Sequence, residues 1–167
     1  MKIILIIVAI YLIYRFFKRK PSKTHEDQQE EIILQSIQND TPAIIKKVPS
    51  DVLDILRVVA KEAHQTGSSI SNLIPNNIVT GINLNSEAVC RMLIFNAYFK
   101  RDIAEYKSNG ITHVYIDSVN DDRTCEICKK ADGKKYSLKK LPEIPHARCK
   151  CETGCRCGII EAETWEE

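Results

Sequence analysis

Two patterns are missing from this 167-residue sequence, and each absence argues against a class of protein. Residues 21–167 have no excess of basic side chains, because five of the 24 Lys and Arg residues precede them and 22 acidic residues oppose the other 19. This balance lacks the overall basic footprint of a nucleic-acid-binding protein. No small-residue cleavage box follows the apolar N-terminus, which argues against a cleaved secretory signal.

Two further absences concern the C-x2-C pair formed by Cys125 and Cys128. No βαβ pattern surrounds this pair, so a thioredoxin-like redox motif is disfavoured. Lys129, and not a histidine, follows Cys128, which excludes the C-x-x-C-H motif of haem attachment. The pair therefore needs an explanation that involves residues elsewhere in the chain.

An apolar run near the start predicts a membrane anchor. Residues 3–17 read IILIIVAIYLIYRFF and would reach about 22 Å as a helix, against a hydrocarbon core of roughly 30 Å. Snorkelling of Arg15 and local thinning of the bilayer can cover this shortfall. Basic residues follow the run, so we expect a single-pass protein that contacts the lipid bilayer through residues 3–17. By the positive-inside rule, its N-terminus lies outside and residues 18–167 are cytoplasmic.

The predicted fold class is α+β, with an N-terminal single transmembrane helix, a helical middle region and a small C-terminal zinc-stabilised β-hairpin lobe. The predicted segments are a transmembrane anchor at 1–20, a juxtamembrane linker with a short helix at 21–50, a helical region at 51–84 and a zinc-binding domain at 85–167. Helical spacing of apolar residues predicts helices at 30–38, 51–66 and 86–109, the last of them the central core helix. β-branched and aromatic residues predict a strand at 111–119 and a closing strand at 158–165 that pairs with it.

Capping residues mark the ends of these helices. Ser50 is the predicted N-cap of the helix at 51–66, and Gly67 follows its end where a C′ glycine belongs. Ser86 or Asn85 caps the next helix. Residues 67–85 form a loop with at most a single helical turn. Cys90 lies among apolar residues and is predicted to be a small core hydrophobe.

The other six cysteines and one histidine lie between residues 125 and 157. Cys125 and Cys128 form the first pair, and His146 and Cys149 form an H-x2-C pair. Two close ligand pairs separated by a short loop predict a structural zinc site. A C-x2-C turn lets two thiolates converge on one ion at about 2.3 Å while backbone amides point at the sulfurs.

The ligand set has alternatives. The preferred set is Cys125, Cys128, His146 and Cys149, and Cys151 could replace either member of the second pair. Cys155 and Cys157 suggest a second ion, but an independent site would lack one or two ligands, so one zinc ion is predicted. Disulfides are disfavoured on the predicted cytoplasmic side, where thiols stay reduced.

Other residues of this region have predicted structural roles. Asp132 and Gly133 are expected to make the turn of a hairpin that brings the ligand pairs together. Arg123 and Thr124 are expected to shape and cap the C-x2-C turn. Eight Lys and Arg residues between 129 and 150 form a local basic cluster, which can stabilise thiolates.

The residues YIDSVNDDRTCEICKKADGKKYSL and PHARCKC resemble the C-terminal signature of the phage head-morphogenesis family, the minor head proteins similar to Mu protein F. The resemblance covers roughly residues 86–160, and its motif positions are Asp121 or Asp122, Arg123, Thr124, Cys125, Cys128, Asp132, Gly133, Pro145, His146, Cys149 and Cys151. It implies a role in phage assembly, with phage head or portal proteins as partners. Members of the family are usually longer and have no membrane anchor.

The expected function is a membrane-anchored, non-enzymatic interaction or assembly module. A zinc ion with four protein ligands has no open position for catalysis. Asp117, Asp121 and Asp122 are expected to cap turns rather than to catalyse. One alternative is a bacterial membrane protein whose basic zinc lobe binds nucleic acid or anionic lipid. Another is a cysteine redox sensor.

Overall fold

The computed structural model describes residues 23–162, so the anchor predicted at 1–20 lies outside the described residues. Within that range the fold is α+β, with five α-helices, one 3-10 turn and a three-stranded sheet. The elements in chain order are α1 (His25–Asn39), the 3-10 turn (Ala43–Ile45), α2 (Ser50–Thr66), α3 (Ile70–Leu73), α4 (Ser86–Ser108), β1 (His113–Asp117), α5 (Glu126–Ala131), β2 (Lys135–Ser137) and β3 (Gly158–Glu161).

The prediction of a membrane-spanning fold needs correction. Between residues 23 and 162, no helix is both long enough and apolar enough to cross a bilayer. The physical reason is that the longer helices turn buried side chains toward a protein core and leave charged side chains exposed on other faces. The predicted fold class with a transmembrane helix, and the single-pass localisation derived from it, are therefore wrong for this structure, which supports an α+β fold alone.

Helix α4 is the centre of the helical part, as its sequence predicted. It packs against both α1 and α2, and its apolar residues Val89, Met92 and Ala97 are completely buried. Cys90 is also completely buried, and its thiol donates a hydrogen bond to the Leu56 carbonyl at 3.5 Å. Burial raises the pKa of this thiol to about 12, so Cys90 is a core residue, as predicted.

The helix ends follow local capping chemistry, with two differences from the prediction. Helix α1 begins at residue 25 and not at 30, because the Thr24 hydroxyl and the Asp27 carboxylate form a capping box. Helix α2 has Pro49, and not Ser50, in the N-cap position. It ends at Thr66, and its C-cap residue Gly67 has a left-handed φ of 68°. The Asn85 side chain caps α4 by accepting a hydrogen bond from the Ala88 amide at 2.8 Å.

The sheet has the strand order β2–β1–β3, and both pairs are antiparallel. The pairing of β3 with β1 confirms the predicted closing strand. The predicted hairpin around residues 132–133 is wrong, because β2 pairs with β1 instead. Asp132 caps the end of α5, and Gly133 has a φ of 67°. The Gly133 amide then donates to the Ile116 carbonyl at 2.9 Å, which returns the chain to β1.

Helix α4 also connects the helical part to the cysteine-rich region, residues 125–157. The Tyr106 hydroxyl donates to the Ile159 carbonyl in β3 at 3.3 Å, and the Cys155 amide donates to the Met92 sulfur at 3.3 Å. Buried residues of the helices, the sheet and the cysteine-rich region form one contiguous apolar cluster. The cysteine-rich region therefore packs against α4.

Candidate metal centre

Four cysteine sulfurs lie close together at the edge of the apolar cluster described above. The Sγ atoms of Cys125, Cys128, Cys149 and Cys151 all lie within 4.8 Å of one another. The Cys128 sulfur is 3.7 Å from that of Cys125, 3.6 Å from that of Cys149 and 3.9 Å from that of Cys151. Cys125 is half-buried and the other three are buried. This group can hold a metal ion.

Two short segments supply these four sulfurs. Cys125 occupies the N-cap position of the six-residue helix α5, and Cys128 lies one turn later. The second segment, residues 138–157, contains no helix or strand. Its turns are fixed locally, because the Cys149 amide donates to the His146 carbonyl at 2.9 Å and the Gly154 amide donates to the Cys151 carbonyl at 3.0 Å.

Backbone amides point at the sulfurs, as the C-x2-C motif predicted. The Lys150 amide donates to the Cys125 sulfur at 3.3 Å, the Cys125 amide to the Cys151 sulfur at 3.3 Å, and the Cys151 amide to the Cys149 sulfur at 3.4 Å. Burial opposes ionisation of Cys125, but hydrogen bonds from the Lys150 and Cys128 amides outweigh it and lower the pKa of this thiol to about 6. The surroundings of Cys125 therefore favour its thiolate, which is the form that binds metal, whereas neighbouring thiols and burial raise the pKa values of Cys128 and Cys149.

The sulfur spacing fits a tetrahedral metal site and not a disulfide. A tetrahedron with metal–sulfur bonds of about 2.3 Å has edges of about 3.8 Å. Four of the six distances between these sulfurs, including the 3.9 Å between Cys125 and Cys149, lie at 3.6–3.9 Å and match this value, and the other two are below 4.8 Å. A disulfide bond would need about 2.05 Å. All seven cysteines of the chain lie in the described residues, and all are free thiols.

A salt bridge holds the loop in front of Cys125. The Arg156 guanidinium donates to the Asp121 carboxylate, with Nη1 2.8 Å from Oδ2. The same carboxylate accepts from the Thr124 hydroxyl at 2.9 Å and from the Arg123 amide at 3.1 Å. Asp121 therefore caps a turn, as predicted, and Thr124 is buried beneath it while Arg123 is exposed. Arg156 also ties this turn to the segment that contains Cys155 and Cys157.

A second group lies next to the first. Its ligand atoms come from Cys128, His146 and Cys157, and they lie within 4.8 Å of one another. The Cys155 sulfur is 3.8 Å from the Cys128 sulfur. Cys128 therefore belongs to both groups.

The structure divides the sequence-predicted ligands between these two groups. It brings Cys125, Cys128, Cys149 and Cys151 together, and it places His146 beside Cys128 and Cys157. Sequence reasoning missed the role of Arg156. The C-R-C sequence at residues 155–157 gave no signal of it, because the partner carboxylate lies 35 positions earlier in the chain.

Comparison with protein-family models, with curated proteins and with solved structures gives no match to this chain.

Proposed function

We propose that this chain is a non-enzymatic interaction module whose C-terminal region is held in place by a structural zinc ion. The ligands in this proposal are Cys125, Cys128, Cys149 and Cys151. The observation that carries it is that four of the six distances between these sulfurs, 3.6–3.9 Å, match the edge of a tetrahedral metal site. An all-sulfur tetrahedral site is typical of zinc or iron, and a site with four protein ligands has no open position for a substrate.

The lack of other structure around the site supports a structural role. Residues 138–157 contain no helix or strand, so hydrogen-bonded ladders do not hold this segment in place. Metal binding supplies folding free energy in such small lobes. We therefore expect the ion to fix the path of the chain between β2 and β3.

Metal analysis and cobalt substitution test this proposal. The full-length chain, purified under reducing conditions, should contain zinc. Replacement of zinc by Co²⁺ should give the absorption spectrum of tetrahedral cobalt with thiolate charge-transfer bands. Cys151→Ser should weaken those bands and Cys90→Ser should not, because Cys90 lies in the helical core. Absence of zinc, or an iron content close to one ion per chain, would contradict the assignment.

The resemblance of residues 86–160 to phage head-morphogenesis proteins supports one class of partner. We propose that the module binds a phage head or portal protein. Mixing the purified chain with a portal protein from the same genome should give a complex in size-exclusion chromatography. The same experiment after metal removal should give no complex. Equal binding by the metal-free chain would show that the interaction does not depend on the zinc-stabilised fold.

A second candidate function rests on the basic cluster. All eight of its Lys and Arg side chains are exposed in the structure, at positions Lys129, Lys130, Lys134, Lys135, Lys139, Lys140, Arg148 and Lys150. Such a surface favours binding of nucleic acid through phosphate contacts, and the affinity should then fall steeply with salt. Fluorescence anisotropy with a labelled DNA duplex distinguishes this function from binding to a phage protein. The measurement is made between 50 and 200 mM salt, an interval of about fourfold. Only a nucleic-acid-binding module should give salt-sensitive binding.

A further inference from the structure

The structure assigns a second metal ion to the cysteine-rich region. We propose that Cys128 bridges two ions, and that Cys155, Cys157 and His146 complete the second site. This inference rests on the proposed zinc site, because it shares one of its thiolates. It gives a role to every cysteine between 125 and 157.

The first argument is the position of Cys128. Its sulfur lies 3.6–3.9 Å from four other sulfurs, those of Cys125, Cys149, Cys151 and Cys155. It also belongs to the group with His146 and Cys157. One tetrahedral ion takes only four ligands. A thiolate sulfur has more than one lone pair, however, so a single sulfur can bind two ions at once.

The second argument is the state of His146. This residue is only 8% exposed, and its Nε2 atom has no hydrogen-bond partner among residues 23–162. Buried polar side-chain atoms usually have a partner. The two sulfurs near the imidazole belong to Cys128 and Cys157, which is the environment of a metal-bound histidine. A metal ion bound through Nε2 between the imidazole and these two sulfurs would give the unpartnered nitrogen a partner.

The third argument is the burial of the remaining thiols. Cys155 is completely buried and Cys157 is 2% exposed. With one ion bound by the first four cysteines, the Cys155 and Cys157 thiols and the His146 imidazole would be left without a metal ion. The sequence suggested that an independent second site would be short of ligands. The structure removes that shortage, because Cys128 is close enough to serve both sites.

Metal content gives the first test. The full-length chain without an affinity tag, passed over a chelating resin under reducing conditions, should retain two zinc ions. His146→Ala, Cys155→Ser and Cys157→Ser should each retain one. The matched controls are His113→Ala, which changes an exposed histidine of β1, and Cys90→Ala, which changes a cysteine of the helical core. Both controls should retain two ions.

Cadmium NMR tests the shared thiolate. Reconstitution with ¹¹³Cd²⁺ should give two resonances that split each other, because coupling passes through the bridging sulfur. Two resonances without mutual splitting would overturn the bridge. This measurement uses the unsubstituted chain, so its result does not depend on whether any variant folds.

The outcomes separate this inference from the proposed function. One zinc ion in the unsubstituted chain, retained by the His146→Ala variant and lost from the Cys151→Ser variant, would overturn the inference of a second ion. The proposal of a structural zinc ion would then still stand. A chain that holds no zinc would overturn both.

Discussion

At the scale of single residues, Asp121 organises the approach to the metal ligands. Hydrogen bonds from Arg156, above all, and from Thr124 hold the pKa of this carboxyl well below its usual range, although partial burial opposes the shift. A carboxyl with a lowered folded-state pKa stabilises the fold fully above its ordinary pKa of about 4. That stabilisation is lost as the pH falls from there through the lower folded-state value. Asp121 should therefore remain charged at neutral pH.

Neutralising Asp121 should loosen the ligand turn. Asp121→Asn keeps the size of the side chain but removes the charge that Arg156 contacts. We expect a lower thermal midpoint and a faster transfer of zinc to a chromogenic chelator than in the unsubstituted chain. The control is Asp122→Asn, which makes the same change at the exposed neighbouring position. Equal effects of the two substitutions would show that the salt bridge with Arg156 is not important.

Gly154 tests the close contact between the cysteine-rich region and α4. Its φ is 92°, and an added Cβ would lie 3.2 Å from the Met92 Cε and 3.4 Å from the Ala88 carbonyl oxygen. Gly154→Ala should reduce the free energy of unfolding by about 2–4 kcal/mol, through backbone strain and overpacking together. Chemical denaturation gives this value.

The matched control is Gly110→Ala. Gly110 has a φ of 75°, but an added Cβ there would meet no atom within 4 Å. It should therefore show only the backbone cost, about 1–2 kcal/mol. A Gly154→Ala variant no less stable than the control would mean that the contact with α4 is looser than described.

At the scale of secondary-structure elements, Arg57 fixes the end of α1 against α2. The Arg57 side chain is buried and donates to the Ile37 carbonyl in the last turns of α1. It also donates to the Thr41 hydroxyl at 2.7 Å. The last carbonyls of a helix have no partners within the helix. The guanidinium therefore serves as a cap that comes from a neighbouring helix.

Removal of this cap should be costly. Arg57→Ala leaves buried acceptors without a donor, so we expect the free energy of unfolding to fall by about 2–3 kcal/mol. Lys61→Ala, at an exposed position of the same helix, should change it by less than about 0.5 kcal/mol. Urea denaturation followed by circular dichroism measures both. A loss for Arg57→Ala within the range of the control would contradict the role of the cap.

The elements that sequence patterns predicted well are those that local chemistry determines. Helices α2 and α4 have amphipathic spacing and capping residues within one turn of their ends, and both were predicted close to their observed bounds. The pairing of β2 could not be read in the same way. Asp132 and Gly133 are typical of a hairpin turn, but in the structure they follow the end of α5. The C-x2-C motif indicates a turn at the residues of α5, and no helix was predicted there. Strand partners depend on contacts between distant residues, which local sequence does not record.

The same distinction applies to the metal ligands. Spacing along the chain identified Cys125, Cys128, His146, Cys149 and Cys151 as candidate ligands, because ligands in close pairs are a local pattern, but it gave Cys155 and Cys157 no definite role. It could not decide which of them meet, since Cys128 and Cys157 are brought together only by the path of residues 138–157. The shared position of Cys128 in both ligand groups is a property of the fold.

At the scale of the whole molecule, the chain combines two sources of stability. Helices α1, α2 and α4 bury conventional apolar side chains. The cysteine-rich region instead contributes cysteines to the same cluster, and the sheet beside it is small, with strands of three to five residues. We therefore expect the metal to determine the order of this region, and the helices to retain their own core without it.

The most direct test is an amide NMR spectrum of the full-length chain under reducing conditions, recorded before and after removal of metal with excess chelator. We expect the dispersed resonances of residues 125–157 to collapse on chelation and to return when zinc is added, while those of α1 and α2 persist. Unchanged resonances for residues 125–157 in the metal-free chain would contradict the central claim that a bound metal ion holds this region in its fold.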